Sequence, residues 1–176
     1  MKFILGTVIS LFSFFMLYFF VAIFSPDFYE VEKTQDFSQS RQIVWHKFSG
    51  FRNWESWLPW KSQSDTIHYT YSGVSGRAGA KVAWHSQEFG SGSRMVTRIE
   101  PFVELEYVLR LKERNSVTKN IIRLSDNESG TTVSWKSRGT LSFWERPLGT
   151  LGILQSQIGA DFEKGLKSIE RELDFN

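Results

Sequence analysis

The stretch VELEYVLRLK, residues 103–112, alternates apolar and charged side chains. Every odd-numbered position is apolar, and Glu104, Glu106, Arg110 and Lys112 stand between them. Successive side chains of a β-strand point to opposite faces of its sheet, so this pattern predicts a strand with one buried and one solvated face. Such strands are typical of antiparallel sheets, which can leave one face open to water.

The same alternation continues from residue 65 to residue 139, interrupted by short turns rich in glycine, serine and asparagine. In this pattern Tyr69 and Tyr71 lie on the same face of one strand. Met95, Thr97 and Ile99 lie on the same face of another strand. We expect six strands in this region and one more at residues 28–37. Short connections between them predict an antiparallel meander.

The C-terminal part of the chain carries a helical pattern that can cover the apolar face of this sheet. Apolar residues recur at spacings of three and four, which is one face of a long helix: Leu151, Leu154, Ile158, Phe162, Leu166, Ile169 and Leu173. A short helix is predicted at residues 39–48, and a short helix or turn at residues 51–60. The fold class is therefore α+β, a curved antiparallel sheet of six or seven strands wrapped on a long C-terminal helix.

An apolar segment, residues 3–24, precedes this domain. Eighteen of its 22 residues are hydrophobic and none is charged. As a helix it would be about 33 Å long, enough to cross a bilayer core of about 30 Å. A cleaved signal peptide is the alternative, but the segment lacks the small-residue cleavage pattern. We favour a transmembrane anchor at residues 1–25, followed by one domain at residues 26–176.

The charges flanking this segment bear on its orientation. Lys2 and the amino terminus precede it, whereas Asp27, Glu30, Glu32 and Lys33 follow it. The positive-inside rule then favours an N-terminus in the cytoplasm. We expect a single-pass protein of a bacterial inner membrane, with the domain on the non-cytoplasmic side.

Composition and spacing exclude several classes of function. The net charge of +2 is too small for a protein that binds nucleic acid through phosphate contacts. Cysteine is absent, which excludes thiol nucleophiles, disulfides and thiolate metal sites. The three histidines, His46, His68 and His85, lack the spacing of a metal site, and the glycine-rich turns lack the setting of a phosphate loop. We expect no metal, no cofactor and no nucleic-acid partner.

Four local motifs in the right order carry a family resemblance. They are PDFYEVE at residues 26–32, FRNWESWLPW at 51–60, TYSG at 70–73 with a later Gly-Ala and Trp84, and DFEKGL at 161–166. They resemble motifs of the SRPBCC superfamily, in particular its polyketide-cyclase-like members and a membrane-anchored subset of them. Two positions depart from the pattern: the first helix lacks its usual proline, and Arg77 replaces the first glycine of the hairpin.

The resemblance implies a helix-grip fold, with a cavity between sheet and helix for a hydrophobic small molecule or a lipid. The candidate cavity residues are Trp54, Trp57, Trp60, Tyr69, Tyr71, Trp84, Met95, Tyr107, Leu109, Trp135, Leu154, Ile158 and Phe162. For the aromatic residues on the strands, a packed core and a ligand wall are equally good interpretations. For the three tryptophans at 54, 57 and 60, a structural plug is favoured.

Three functions remain open at this point. The favoured one is a membrane-tethered binding module with no catalytic residues. The second is an enzyme resembling polyketide cyclases and dehydratases, which requires polar residues with shifted pKa values to converge in the cavity. The third is an envelope interaction protein with a vestigial cavity. Phe143 and Trp144, just before the last helix, either close one end of the cavity or touch the membrane.

Overall fold

A computed structural model describes residues 2–58, 67–88, 90–112 and 116–175. Within these ranges the chain forms four α-helices and one seven-stranded sheet. The helices are α1 (Lys2–Phe24), α2 (Arg41–Phe48), α3 (Arg146–Thr150) and α4 (Ile153–Asp174). The strands are β1 (Phe28–Phe37), β2 (His68–Ser72), β3 (Lys81–Ser86), β4 (Gly90–Glu100), β5 (Glu104–Leu111), β6 (Ser116–Asn127) and β7 (Gly130–Thr140). Single 3₁₀ turns lie at Asn53–Glu55 and Phe143–Glu145.

The sheet has the strand order β1-β7-β6-β5-β4-β3-β2, and every neighbouring pair is antiparallel. The predicted strand is confirmed at Glu104–Leu111, where Leu105 and Tyr107 are buried against the core, but Val103 lies in the preceding turn and is 37% exposed. Glu106 on the opposite face forms an ion pair with Lys119 of β6, with 2.7 Å between Nζ and Oε2. The helix-grip α+β fold predicted from the sequence is confirmed.

The prediction that Met95, Thr97 and Ile99 share one inner face is wrong. The pairing of β4 with β5 shifts register between Val96 and Arg98, which is the signature of a β-bulge. Before the bulge Arg94 and Val96 are buried and Met95 is exposed, whereas after it Ile99 packs against the core. The extra residue moves the alternation by one position, which a strict period of two cannot anticipate.

The C-terminal helix is also divided differently from the prediction. Gly152 adopts a left-handed conformation, with φ of +73°, and separates α3 from α4. Leu151 lies in this break and is 71% exposed, so it does not belong to the buried face. From Phe162 onwards the predicted face is confirmed, since Phe162, Leu166 and Ile169 are buried.

Helix α1 stands outside this core. It is exposed along nearly its whole length, and Ala22 near its C-terminal end is buried. Residues Phe3–Phe24 have a mean hydropathy of 2.3, so among the described helices this one is long and apolar enough to cross a membrane. The chain passes directly from α1 into β1 through Ser25–Asp27.

Because the C-terminal helix is divided at Gly152, substitutions on its two sides should affect stability differently. Leu166→Ala should lower the free energy of unfolding by about 2–5 kcal/mol, because it leaves a cavity in a fully buried site. The matched substitution Leu151→Ala should change it by less than about 0.5 kcal/mol, because that side chain is exposed. Urea unfolding of the full chain in detergent, followed by tryptophan fluorescence, measures both. Equal destabilisation by the two substitutions would contradict the observed break.

Candidate functional site

A cavity of about 170 Å³ lies between the inner face of the sheet and the N-terminal half of α4. Its walls come from β1, β4, β5, β6 and β7 on one side and from α4 on the other. Six of the candidate residues line it, namely Tyr107, Leu109, Trp135, Leu154, Ile158 and Phe162. The lining is therefore mostly apolar and aromatic, as is usual for small-molecule sites.

The pairing of β6 with β7 explains why this part of the layer is not filled. Towards the C-terminal end of β6, Ile122 faces Trp135 across the strands, and both are fully buried. Towards the other end, Asn120 faces Ser137 and Thr118 faces a glycine at position 139. These small inward side chains replace the large apolar ones of the core, so space remains beneath α4.

Trp54 and Trp57 lie in the core beside the cavity and do not line it. Both are 1% exposed, and their indole N–H groups donate to backbone carbonyls at the end of α2. Trp54 Nε1 donates to the carbonyl of Phe48 at 2.9 Å, and Trp57 Nε1 to that of Lys47 at 3.2 Å. Because the last carbonyls of a helix lack partners within it, these bonds cap α2 from the core. This geometry favours the structural plug over the ligand wall for these two residues.

The remaining candidates lie away from the cavity lining. Tyr69 and Tyr71 are partly buried on the edge strand β2, and Trp84 lies on β3 against the guanidinium of Arg94. Met95 is exposed on the outer face of β4, for the reason given above. Trp60 lies outside the described residues.

Arg94 is the main polar residue that the sequence analysis missed. It is 6% exposed, lines the cavity, and its guanidinium carbon lies 4.8 Å from the centre of the Trp84 ring. Burial lowers the pKa of Arg94, although an arginine in a protein remains charged. Counting back by two from Val96 places position 94 on the inner face, but a charged side chain argues against that assignment. Its positive charge lies in a cavity whose other lining residues include apolar side chains, small polar ones and two carboxylates.

Trp135 connects the core with the cavity. Its indole stacks on the ring of Phe162, with centroids 4.0 Å apart and planes inclined by 7°. Its N–H group is buried and has no hydrogen-bond partner among the described residues. The phenol of Tyr107 lies near this N–H group, but the two groups do not reach hydrogen-bond geometry. A buried donor without a partner costs about 1–3 kcal/mol, so an acceptor atom on a ligand would be favoured here.

Two carboxylates, Asp161 and Glu145, lie on the side of the cavity away from the sheet. Burial raises the pKa of Asp161, and the nearby Lys164 opposes this shift. Glu145 accepts from the backbone N–H of Ser142 at 3.0 Å, in a capping box that closes the 3₁₀ turn. In the described parts of the chain, no three histidine, aspartate or glutamate side chains are grouped to hold a metal ion.

Tyr107, which lines the cavity, should make the free energy of unfolding depend on pH in the alkaline range. Burial raises its pKa, so the folded protein keeps this proton above about pH 10, where an unfolded tyrosine loses it. The free energy of unfolding should therefore fall as pH rises from about 10, by at most about 1.4 kcal/mol per pH unit for this one group. Tyr107→Phe lacks the group, so its stability should fall less steeply. Urea unfolding between about pH 9 and about pH 11 measures both slopes, and equal slopes would show that Tyr107 is not a buried phenol.

A model of the family described as polyketide cyclase/dehydrase and lipid transport matches residues 29–174. No curated protein matches the chain. Among solved structures, it is similar to protein CV1439 from Chromobacterium violaceum, with a TM-score of 0.59 and 14% identity over 81% of this chain and 94% of that one. A protein from Rhizobium leguminosarum gives a TM-score of 0.62 and 14% identity over 85% of this chain and 96% of that one.

The di-domain ARO/CYC StfQ from the steffimycin biosynthetic pathway gives a TM-score of 0.65 and 8% identity. That match covers 82% of this chain and 50% of StfQ. At these identities the solved structures show a shared fold. The family match runs from β1 to the end of α4, and it confirms the SRPBCC resemblance drawn from the motifs. The chain belongs to the polyketide cyclase/dehydrase and lipid transport family.

Proposed function

We propose that this protein is a membrane-tethered, non-catalytic binding module for one hydrophobic small molecule that carries a hydrogen-bond acceptor. The observation that carries the proposal is the cavity beneath α4, which is lined by Trp135, a residue whose buried N–H group has no hydrogen-bond partner among the described residues. An apolar ligand would gain from leaving water, and its acceptor would remove the cost of that buried donor.

The size of the cavity limits the ligand. A cavity of about 150 Å³ accommodates benzene, and pockets for drug-sized ligands have about 300–1,000 Å³. The volume of about 170 Å³ therefore suits a molecule of one or two rings, or a short segment of a single acyl chain. A lipid with two acyl chains would require α4 to move away from the sheet.

The tether supports the same proposal. Residues 1–25 would anchor the domain of residues 26–176, and a membrane span at Phe3–Phe24 agrees with the length and hydropathy of α1. Anchoring raises the effective concentration of the domain near the bilayer, where hydrophobic molecules accumulate. The flanking charges favour the domain on the non-cytoplasmic side of the membrane.

A second candidate function is an enzyme of the cyclase or dehydrase type. It is favoured by Arg94, Tyr107 and Asp161, which all line the cavity and all have shifted pKa values. Such a cluster can polarise a carbonyl group and move a proton. Against it, Tyr107 stays protonated at neutral pH, so the carboxylates at the edge of the cavity would have to act as the base.

Titration with a fluorescent naphthyl ketone, which combines two rings with an acceptor oxygen, tests the binding module. Trp135→Phe keeps most of the apolar surface but removes the N–H group, so the Kd should rise about fivefold, equivalent to about 1 kcal/mol. Trp54→Phe is the matched control. Its N–H already donates to a backbone carbonyl in the core, so the Kd should stay near the wild-type value.

Equal effects of the two substitutions, or no binding by the wild-type protein, would contradict the binding proposal. Turnover of a polyketide substrate that Asp161→Asn abolishes, while probe binding persists, would instead establish the enzyme.

A further inference from the structure

The segment between β7 and α4 makes extensive contact with α1. We name residues 141–153, which include the 3₁₀ turn, α3 and the first residue of α4, the cap segment. The ring of Trp144 lies 6.1 Å from that of Phe15, and Phe143 lies 5.3 Å from Phe19, measured between ring centroids. The hydroxyl of Tyr18 donates to the carbonyl of Trp144. The cap segment is therefore held against the side of α1, not only at its end.

The positions of these contacts along α1 give a depth. Phe19 and Phe15 precede the last helical residue, Phe24, by five and nine residues. At 1.5 Å per residue, they lie about 7.5 Å and about 13.5 Å from the end of the helix. With α1 across the bilayer, as proposed above, Phe143 and Trp144 would reach the same depths. Elements in the membrane interface are typically buried about 5–10 Å into it, so Phe143 falls in this range and Trp144 lies deeper.

The exposed surface of the cap segment suits that environment. Trp144 is 54% exposed, Leu151 is 71% exposed and Ile153 is 42% exposed. Tryptophan is enriched at membrane interfaces, and large exposed apolar patches mark a contact with another apolar phase.

We propose that the cap segment is itself a membrane-binding element, with Trp144 and Leu151 inserted among the lipid chains beside α1. The occupant of this surface is the bilayer, because the membrane helix already contacts it and continues past it. This inference rests on the proposed tether. The inference also goes beyond the tether, because the domain would lie partly in the membrane and would not be attached to it through α1 alone. Leu141 at the start of the cap segment lines the cavity, so the membrane-binding element would adjoin the ligand site.

Spin labels on single cysteines in the full-length protein test this inference, because the natural chain has no cysteine to interfere. The label is placed by Leu151→Cys in the cap segment, by Phe12→Cys in α1 and by Val74→Cys in the β2–β3 hairpin. Phe12 and Val74 are each 64% exposed, and the antiparallel register places the hairpin at the end of the sheet opposite Phe28. The protein is reconstituted in nanodiscs of phosphatidylcholine and phosphatidylglycerol.

Collision with oxygen, which concentrates in lipid, is compared with collision with a water-soluble nickel complex. The labels at Leu151 and Phe12 should both favour oxygen, and the label at Val74 should favour nickel. If Leu151 favours nickel while Phe12 favours oxygen, the tether stands and the membrane-binding cap segment is wrong. If Leu151 is shielded from both reagents, protein covers it, and the inference is again overturned. If Phe12 also favours nickel, the tether fails together with the inference.

Discussion

The stack of the Trp135 indole on the Phe162 ring is the contact on which the rest of the domain depends. It joins the sheet to α4, and the same indole meets Trp57 and Trp54 edge-on, at centroid distances of 5.8 Å and 6.1 Å. One residue therefore belongs both to the packed core and to the wall of the cavity. Large aromatic side chains supply much of the buried area in such a core, so the layers meet most firmly here.

The cavity follows from where this aromatic packing ends. Beyond Trp135 the inward positions of β6 and β7 carry small polar side chains. The distance between α4 and the sheet is set by the larger aromatic residues, so these small side chains do not fill it. Interiors are otherwise close-packed, so polar and undersized residues at inward positions are a departure that needs a compensating function. Arg94 and the Trp135 N–H give this space a polar character that a merely imperfect core would not need.

The sequence predicted the fold well, because alternation along strands and the spacing of α4 report directly on burial. Leu105, Tyr107, Phe162 and Ile169 are buried as their patterns indicate. The prediction from the sequence failed where a single residue shifts the alternation of inward and outward side chains or interrupts a helix. The bulge after Val96 exposes Met95 and brings in Arg94, and the left-handed Gly152 exposes Leu151. The charged and small polar residues that line the cavity, such as Arg94, Asn120 and Ser137, were also missed, because periodicity assigns polar residues to the solvated face.

Native mass spectrometry of the full-length protein, released from the membrane without added ligand, tests the binding function most directly. We expect one bound small molecule per chain. We also expect its loss in Ile158→Trp, which fills the cavity from the α4 side, and its retention in Ile43→Trp, where the substituted side chain is half exposed on α2. A wild-type protein that carries no ligand, or a ligand that Ile158→Trp retains unchanged, would contradict a binding function of this cavity.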